Sequence, residues 1–261
     1  MSQRILQGRA ANIVGAAAIA IGLAWAGTDV AAQGRGRGGP AGPPPTAQAA
    51  PAIDVTGNWV AVVNEDWRWR MVTPPKGDFA SVPLNAEGQR VGNTWTEAMD
   101  GRCEAYGMAG LMRMPTRLRI SWQDPQTLKI ETDAGMQTRL LRFDPSAPKP
   151  TRPSLQGFTM ATWERLAGRG RGGPPAPGGS LKATTTMLSG GWLRKNGVPY
   201  SSDATVTEYF DRFAAPNGDE WLTVTTVVDD EKYLNQSFVT SSHFKKEADG
   251  SKWSPSPCRT S

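Results

Sequence analysis

The sequence predicts an all-β fold, an antiparallel meander closed into a barrel and carried on a flexible N-terminal tether. Three observations predict it. Between residues 53 and 258 apolar residues alternate with polar ones in short runs, with a period of two and not 3.6. The runs are punctuated by turn formers such as Asp124-Pro125, Asn217-Gly218 and Asp249-Gly250. Ten tryptophans in 261 residues supply the large apolar surface that a disordered chain lacks. The length allows one or two domains, and one once the tails are set aside.

Residues 1–32 have the layout of a signal peptide. Arg4 and Arg9 give a positive start, Ile13 to Gly27 an uncharged apolar run, and Val30-Ala31-Ala32 a small-residue cleavage site. An uncleaved anchor is the alternative, but the run is shorter than the roughly 20 residues that span a bilayer comfortably. The expected location is the bacterial periplasm or the exterior, with no transmembrane span after cleavage. Residues 33–52 are a Gly/Pro-rich linker without periodicity. The domain then runs over 53–261, interrupted by a low-complexity loop at 168–179. The string GRGRGGP occurs at 34–40 and again at 168–174, as recurrent low complexity and not as a domain repeat.

Within the domain, strands are expected at Asn58 to Val63, Trp67 to Val72, Leu118 to Trp122, Thr127 to Thr132 and Gln137 to Phe143. The second half adds Leu181 to Leu188, Trp192 to Arg194, Thr205 to Phe213, Trp221 to Val228 and Ser237 to Lys245. Lys195-Asn196-Gly197 is a hairpin turn, because Asn and Gly both tolerate positive φ. The segment Glu87 to Met112 alone tolerates helix. Nine or ten strands fit a sandwich or a barrel, and a barrel is favoured because closure removes exposed edges.

Cys103 and Cys258 are the only cysteines. In an exported chain two thiols usually pair, and a bridge would tie the C-terminus to the first half. A reactive Cys103 thiol is the alternative.

Gly57-Asn58-Trp59 resembles the Gly-x-Trp signature that opens the first strand of lipocalins and other calycins. The strings DWRWRMVTPPKGD (66–78), LRKNGVPYS (193–201), TEYFDRF (207–213) and SHFKKEADGSKW (242–253) resemble an exported, lipocalin-like (calycin-type) β-barrel family of environmental bacteria. The resemblance implies a lipocalin-like barrel whose first Trp plugs the closed end, and an export route. It implies no activity.

Several side chains could carry chemistry. On a strand, Asp66, Arg68 and Arg70 share one face and Trp67, Trp69 and Met71 the other. Turned inward, the charged face offers guanidiniums suited to bidentate capture of carboxylate or phosphate. The aromatic face would instead form a slot for an apolar ligand. Tyr209 and Arg212 are further candidate ligand contacts, and Lys76 sits on a Pro-stiffened loop of the kind that carries binding groups. If the protein is an enzyme, Asp66, Glu208, Tyr200 and His243 are its acid–base candidates. His243 is the sole histidine, so a His-based zinc site is excluded, and no phosphate-loop or nucleophile-elbow motif occurs. No cofactor or metal is expected.

The leading expectation is binding of a small apolar or aromatic ligand in a barrel cavity. A cofactor-independent lyase, isomerase or hydrolase in the same cavity is the alternative, and an envelope structural protein with a packed barrel is the third. The formal net charge of +5 invites a nucleic-acid reading. That excess lies in residues 1–32 (+1), the linker (+2) and the 168–179 loop (+2), leaving the rest of the domain neutral. A nucleic-acid partner is therefore not expected.

Overall fold

A computed structural model describes residues 44–100, 103–167 and 178–258. The signal peptide, the first part of the linker and all of the second GRGRGGP string lie outside these residues. The compact unit starts at Pro44. No helix among the described residues is long and apolar enough to cross a membrane.

Nine strands form one closed barrel: β1 (Gly57–Val62), β2 (Arg117–Asp124), β3 (Thr127–Thr132), β4 (Thr138–Arg142), β5 (Phe158–Arg165), β6 (Gly179–Thr186), β7 (Thr205–Ala214), β8 (Glu220–Asp229) and β9 (Phe238–Glu247). Each strand neighbours the next in sequence, and β9 returns to β1, with Ala61 opposite Phe244. Strictly alternating directions cannot close around an odd number of strands, so one pair must run parallel. That pair is β4 and β5, with Leu141 opposite Thr159. A parallel neighbour needs a crossover and not a hairpin, and the crossover is 143–157, a segment with four prolines.

The alternation that predicts strands also fills the barrel. Leu118, Ile120, Leu128, Ile130, Leu222 and Val224 are buried at every second position. Trp59 is fully buried among them and donates its indole N–H to the Val55 carbonyl at 3.0 Å. At the centre Arg139 and Glu208 face each other across the lumen. They pair through both terminal guanidinium nitrogens, with Nη1 donating to Oε1 at 3.2 Å. Neither is exposed by more than 1%. The lumen of this barrel is thus packed with its own side chains.

The sequence-based strands differ from this at three places. Trp67–Arg70 is a single helical turn and not a strand. Asp66 takes a left-handed conformation (φ 52°), which Asp tolerates better than most residues, and its carbonyl accepts from the Trp69 and Arg70 amides at 2.9 and 3.1 Å. Gly191–Arg194 pairs with Val198–Tyr200 in a hairpin outside the barrel, as its Asn-Gly turn indicates. Strand β5 was not foreseen. Its inward positions are Thr159, Ala161 and Trp163, so a polar and a small residue break the apolar alternation. Thr159 is satisfied by the Thr185 hydroxyl at 2.8 Å.

The end of the linker also differs from a free tether. Ala47, Gln48 and Ala50 bond to Gln126, Pro125 and Arg165, and the Trp163 indole donates to the Ala47 carbonyl at 3.0 Å. Residues 44–50 therefore lie against one end of the barrel. The opposite end is covered by a cap built from the long β1–β2 and β6–β7 connections. Its own core contains Val82, Leu84, Met108, Leu188, Leu193, Val198 and Tyr200. Cys103 and Cys258 form a disulfide with Cα atoms 5.2 Å apart.

Candidate anion-binding site

The site lies in the cap. It is built from the turn after β1, the segment before β2 and the 191–200 hairpin. The Trp67–Arg70 turn swings Arg70 into the protein, where its Nε donates to the Arg113 carbonyl at 2.8 Å and its Nη1 meets Glu65. Arg113 is held by Asp66 at 3.1 Å. Arg194 comes from the hairpin, donates to the Ala80 carbonyl at 2.7 Å and stacks over the Trp69 ring at 5.0 Å. The hairpin turn is fixed because Gly197 has φ +83° and no room for a side chain. A Cβ there would sit 2.2 Å from the Trp95 Cβ. Buried Asn196 locks the turn to the 75–78 loop through the Pro75 and Asp78 carbonyls at 3.1 and 3.0 Å.

Three guanidiniums, 8, 6 and 4% exposed for Arg70, Arg113 and Arg194, thus share one region with two carboxylates, Glu65 and Asp66. Buried ions are normally paired and fully hydrogen-bonded. Here Arg70 Nη2, Arg194 Nε and Nη2, and the Trp69 indole nitrogen have no partner. The electrostatics carry the same message. Burial, and then the charge of Arg113, push Arg194 down to about 10, with Asp66 and Asp78 opposing. Burial also lowers Arg70 against the opposing pull of Glu65. Both remain cationic at neutral pH, as buried arginines do.

A cleft of about 150 Å³ opens against this cluster. Its walls carry Arg70, Arg113, Arg194 and Lys195 and no carboxylate, together with Trp69, Tyr106 and the apolar side chains Met71, Val72, Met114 and Leu193. Met71 and Val72 are more than half exposed at the mouth. Tyr106 packs on Gly135, beside the short parallel pairing of Ala134–Gly135 with Ser256–Pro257. The next residue, Cys258, holds this wall by its bridge to Cys103.

Of the residues singled out in the sequence, Trp69 and Arg70 line the cleft. Trp67 is 62% exposed beside it, and Arg68 reaches out to Asp78 at 3.5 Å. The helical turn breaks the common face expected for Asp66, Arg68 and Arg70, and burial of Arg70 alone is the result. Lys76 lies on a separate recess with Trp95 and Glu97. Tyr209 is on the barrel exterior under Lys182, and Arg212 pairs with Glu220 and Asp54. Among the acid–base candidates, Glu208 is in the lumen. Tyr200 is buried in the cap, its phenol held above the ordinary range by burial and by the charge of Glu104. Asp66 is tied to Arg113, and His243 Nδ1 lies 3.0 Å from the Glu65 carboxylate whose other oxygen meets Arg70. None of the four lines the cleft. The sequence reading missed Glu65, Arg113, Arg194, Lys195 and Tyr106. Arg113 follows an unpatterned segment, and only its distance from Arg70 along the chain concealed it.

Fold and site together define a capped β-barrel with an arginine-walled cleft. Comparison of the chain with protein-family models, curated proteins and solved structures finds no match.

Proposed function

We propose that the protein is an exported binding protein that holds a small anionic ligand with an apolar body in the cap cleft. The carrying observation is the arginine cluster: three buried guanidiniums with unpartnered donors, and a cleft wall without a carboxylate. Leaving buried donors unmade costs about 1–3 kcal/mol each, and an anion would recover part of that. The apolar lip of Met71 and Val72 supports a ligand with a hydrophobic portion. The cleft, not the packed lumen, is the ligand site in this reading. The absence of all four acid–base candidates from its walls favours binding over catalysis. The disulfide fits an oxidising compartment. Kinship with the lipocalin-like family rests on Gly57-Asn58-Trp59 opening β1, with Trp59 buried in the core, while nine strands and one parallel pair set this barrel apart from an eight-strand meander.

The test is thermal unfolding at fixed ionic strength with acetate, nitrate or phosphate replacing chloride. At a hundredfold excess over Kd a bound anion adds about 2.7 kcal/mol, or roughly 5–10 °C for a domain of this size. Stabilisation should fall away in Arg113→Gln. An equal response in the variant would contradict the assignment.

A further inference from the structure

Resting on the anion-binding reading, we infer that the cleft takes a monocarboxylate bearing a single aromatic ring. Three features of the site carry this. The first is charge. The cleft wall carries Arg70, Arg113, Arg194 and Lys195 and no carboxylate, while Glu65, Asp66 and Asp78 act on the cluster from outside the wall, so the wall matches an anion. The second is hydrogen bonding. The unpartnered buried atoms at the cluster, on Arg70, Arg194 and Trp69, are all N–H donors. A group that only accepts matches them, and a carboxylate does so in the plane of the guanidinium fork. An alcohol or amine would bring donors that find no acceptor. The third is size. A cleft of about 150 Å³ equals the engineered apolar cavity that holds one benzene. Trp69 and Tyr106 line the cleft with Arg194 and Lys195 over their rings, and Met71, Met114 and Leu193 complete apolar walls. A second fused ring or a long alkyl chain would have to lie outside, over Met71 and Val72.

Isothermal titration of the full chain with phenylacetate, 2-phenylethanol, phenyl phosphate and inorganic phosphate tests this. Phenylacetate should bind at least tenfold tighter than 2-phenylethanol, which keeps the ring and lacks the charge, and tighter than phenyl phosphate. Arg194→Lys keeps the charge and loses the planar fork, so it should weaken phenylacetate about tenfold or more. Lys195→Gln, at the cleft wall and outside the buried cluster, should weaken it only a few-fold and serves if Arg194→Lys does not fold. Preference for phenyl phosphate or inorganic phosphate over phenylacetate would overturn the carboxylate assignment and leave the anion site standing. Equal binding of phenylacetate and 2-phenylethanol, or no binding of any anion, would overturn the anion site itself and this inference with it.

Discussion

Glu208→Ala should destabilise the fold by about 3–5 kcal/mol, because it strands the Arg139 guanidinium in a packed lumen. The pair is fully buried and joined through both terminal guanidinium nitrogens. Arg139 Nε already lacks a partner, so no spare acceptor waits to take over from the carboxylate. Urea unfolding of the wild type and variant measures the loss as a shift in midpoint. The double variant Arg139→Met/Glu208→Leu separates two explanations. If the cost comes from an uncompensated charge, removing both partners should restore most of the stability, since apolar replacements of buried ion pairs are often neutral or better. If the double variant stays as unstable as Glu208→Ala, the pair holds the barrel register and not just its own charge. A loss below about 1 kcal/mol in the single variant would mean that solvent reaches Arg139, against the packed lumen described above.

Removal of the disulfide is the second large effect, expected at about 2–5 kcal/mol. Cys103 and Cys258 are 155 residues apart in sequence. The bridge therefore restricts most of the unfolded chain, and loops of this length gain most in the chain-entropy view. It also acts locally. Cys258 follows the Ser256–Pro257 segment, which pairs with Ala134–Gly135, and Ala134 and Tyr106 line the cleft. The Cys103→Ser/Cys258→Ser variant should lower the urea midpoint and weaken ligand binding together. Lower stability with unchanged affinity would show that the cleft wall stands without the bridge. An unchanged midpoint would contradict a structural role for it.

The barrel was legible because its chemistry is local. Alternation at Leu128/Ile130 and Leu222/Val224, and the turns at Asp124-Pro125 and Asn217-Gly218, specify strands and hairpins without knowledge of the rest. Strand β5 escaped because Thr159 and Ala161 face inward there, and the Thr159–Thr185 hydrogen bond that makes this tolerable is a tertiary fact. The cap was harder. The run from Asp66 to Met71 alternates charge and aromatic residues as a strand would. A left-handed Asp66 turned it into a helical turn, and only then did Arg70 part from Arg68. The arginine cluster joins residues 70, 113 and 194, which no local pattern connects. The carboxylates that pair with it come from the same turn, so the sequence showed the charges and not their arrangement. The packed lumen was equally hidden, because inward Glu208 reads in sequence as an acid–base candidate until Arg139 is seen opposite.

The central claim is that an anion sits in the cap cleft and not in the lumen. Crystals soaked in iodide test it most directly, because anomalous scattering locates the ion without assuming a ligand. An ordered iodide within contact of Arg70, Arg113 or Arg194 inside the cleft is the expected result. Iodide beside Arg139 in the lumen, or iodide confined to other surfaces with the cleft empty, would contradict it.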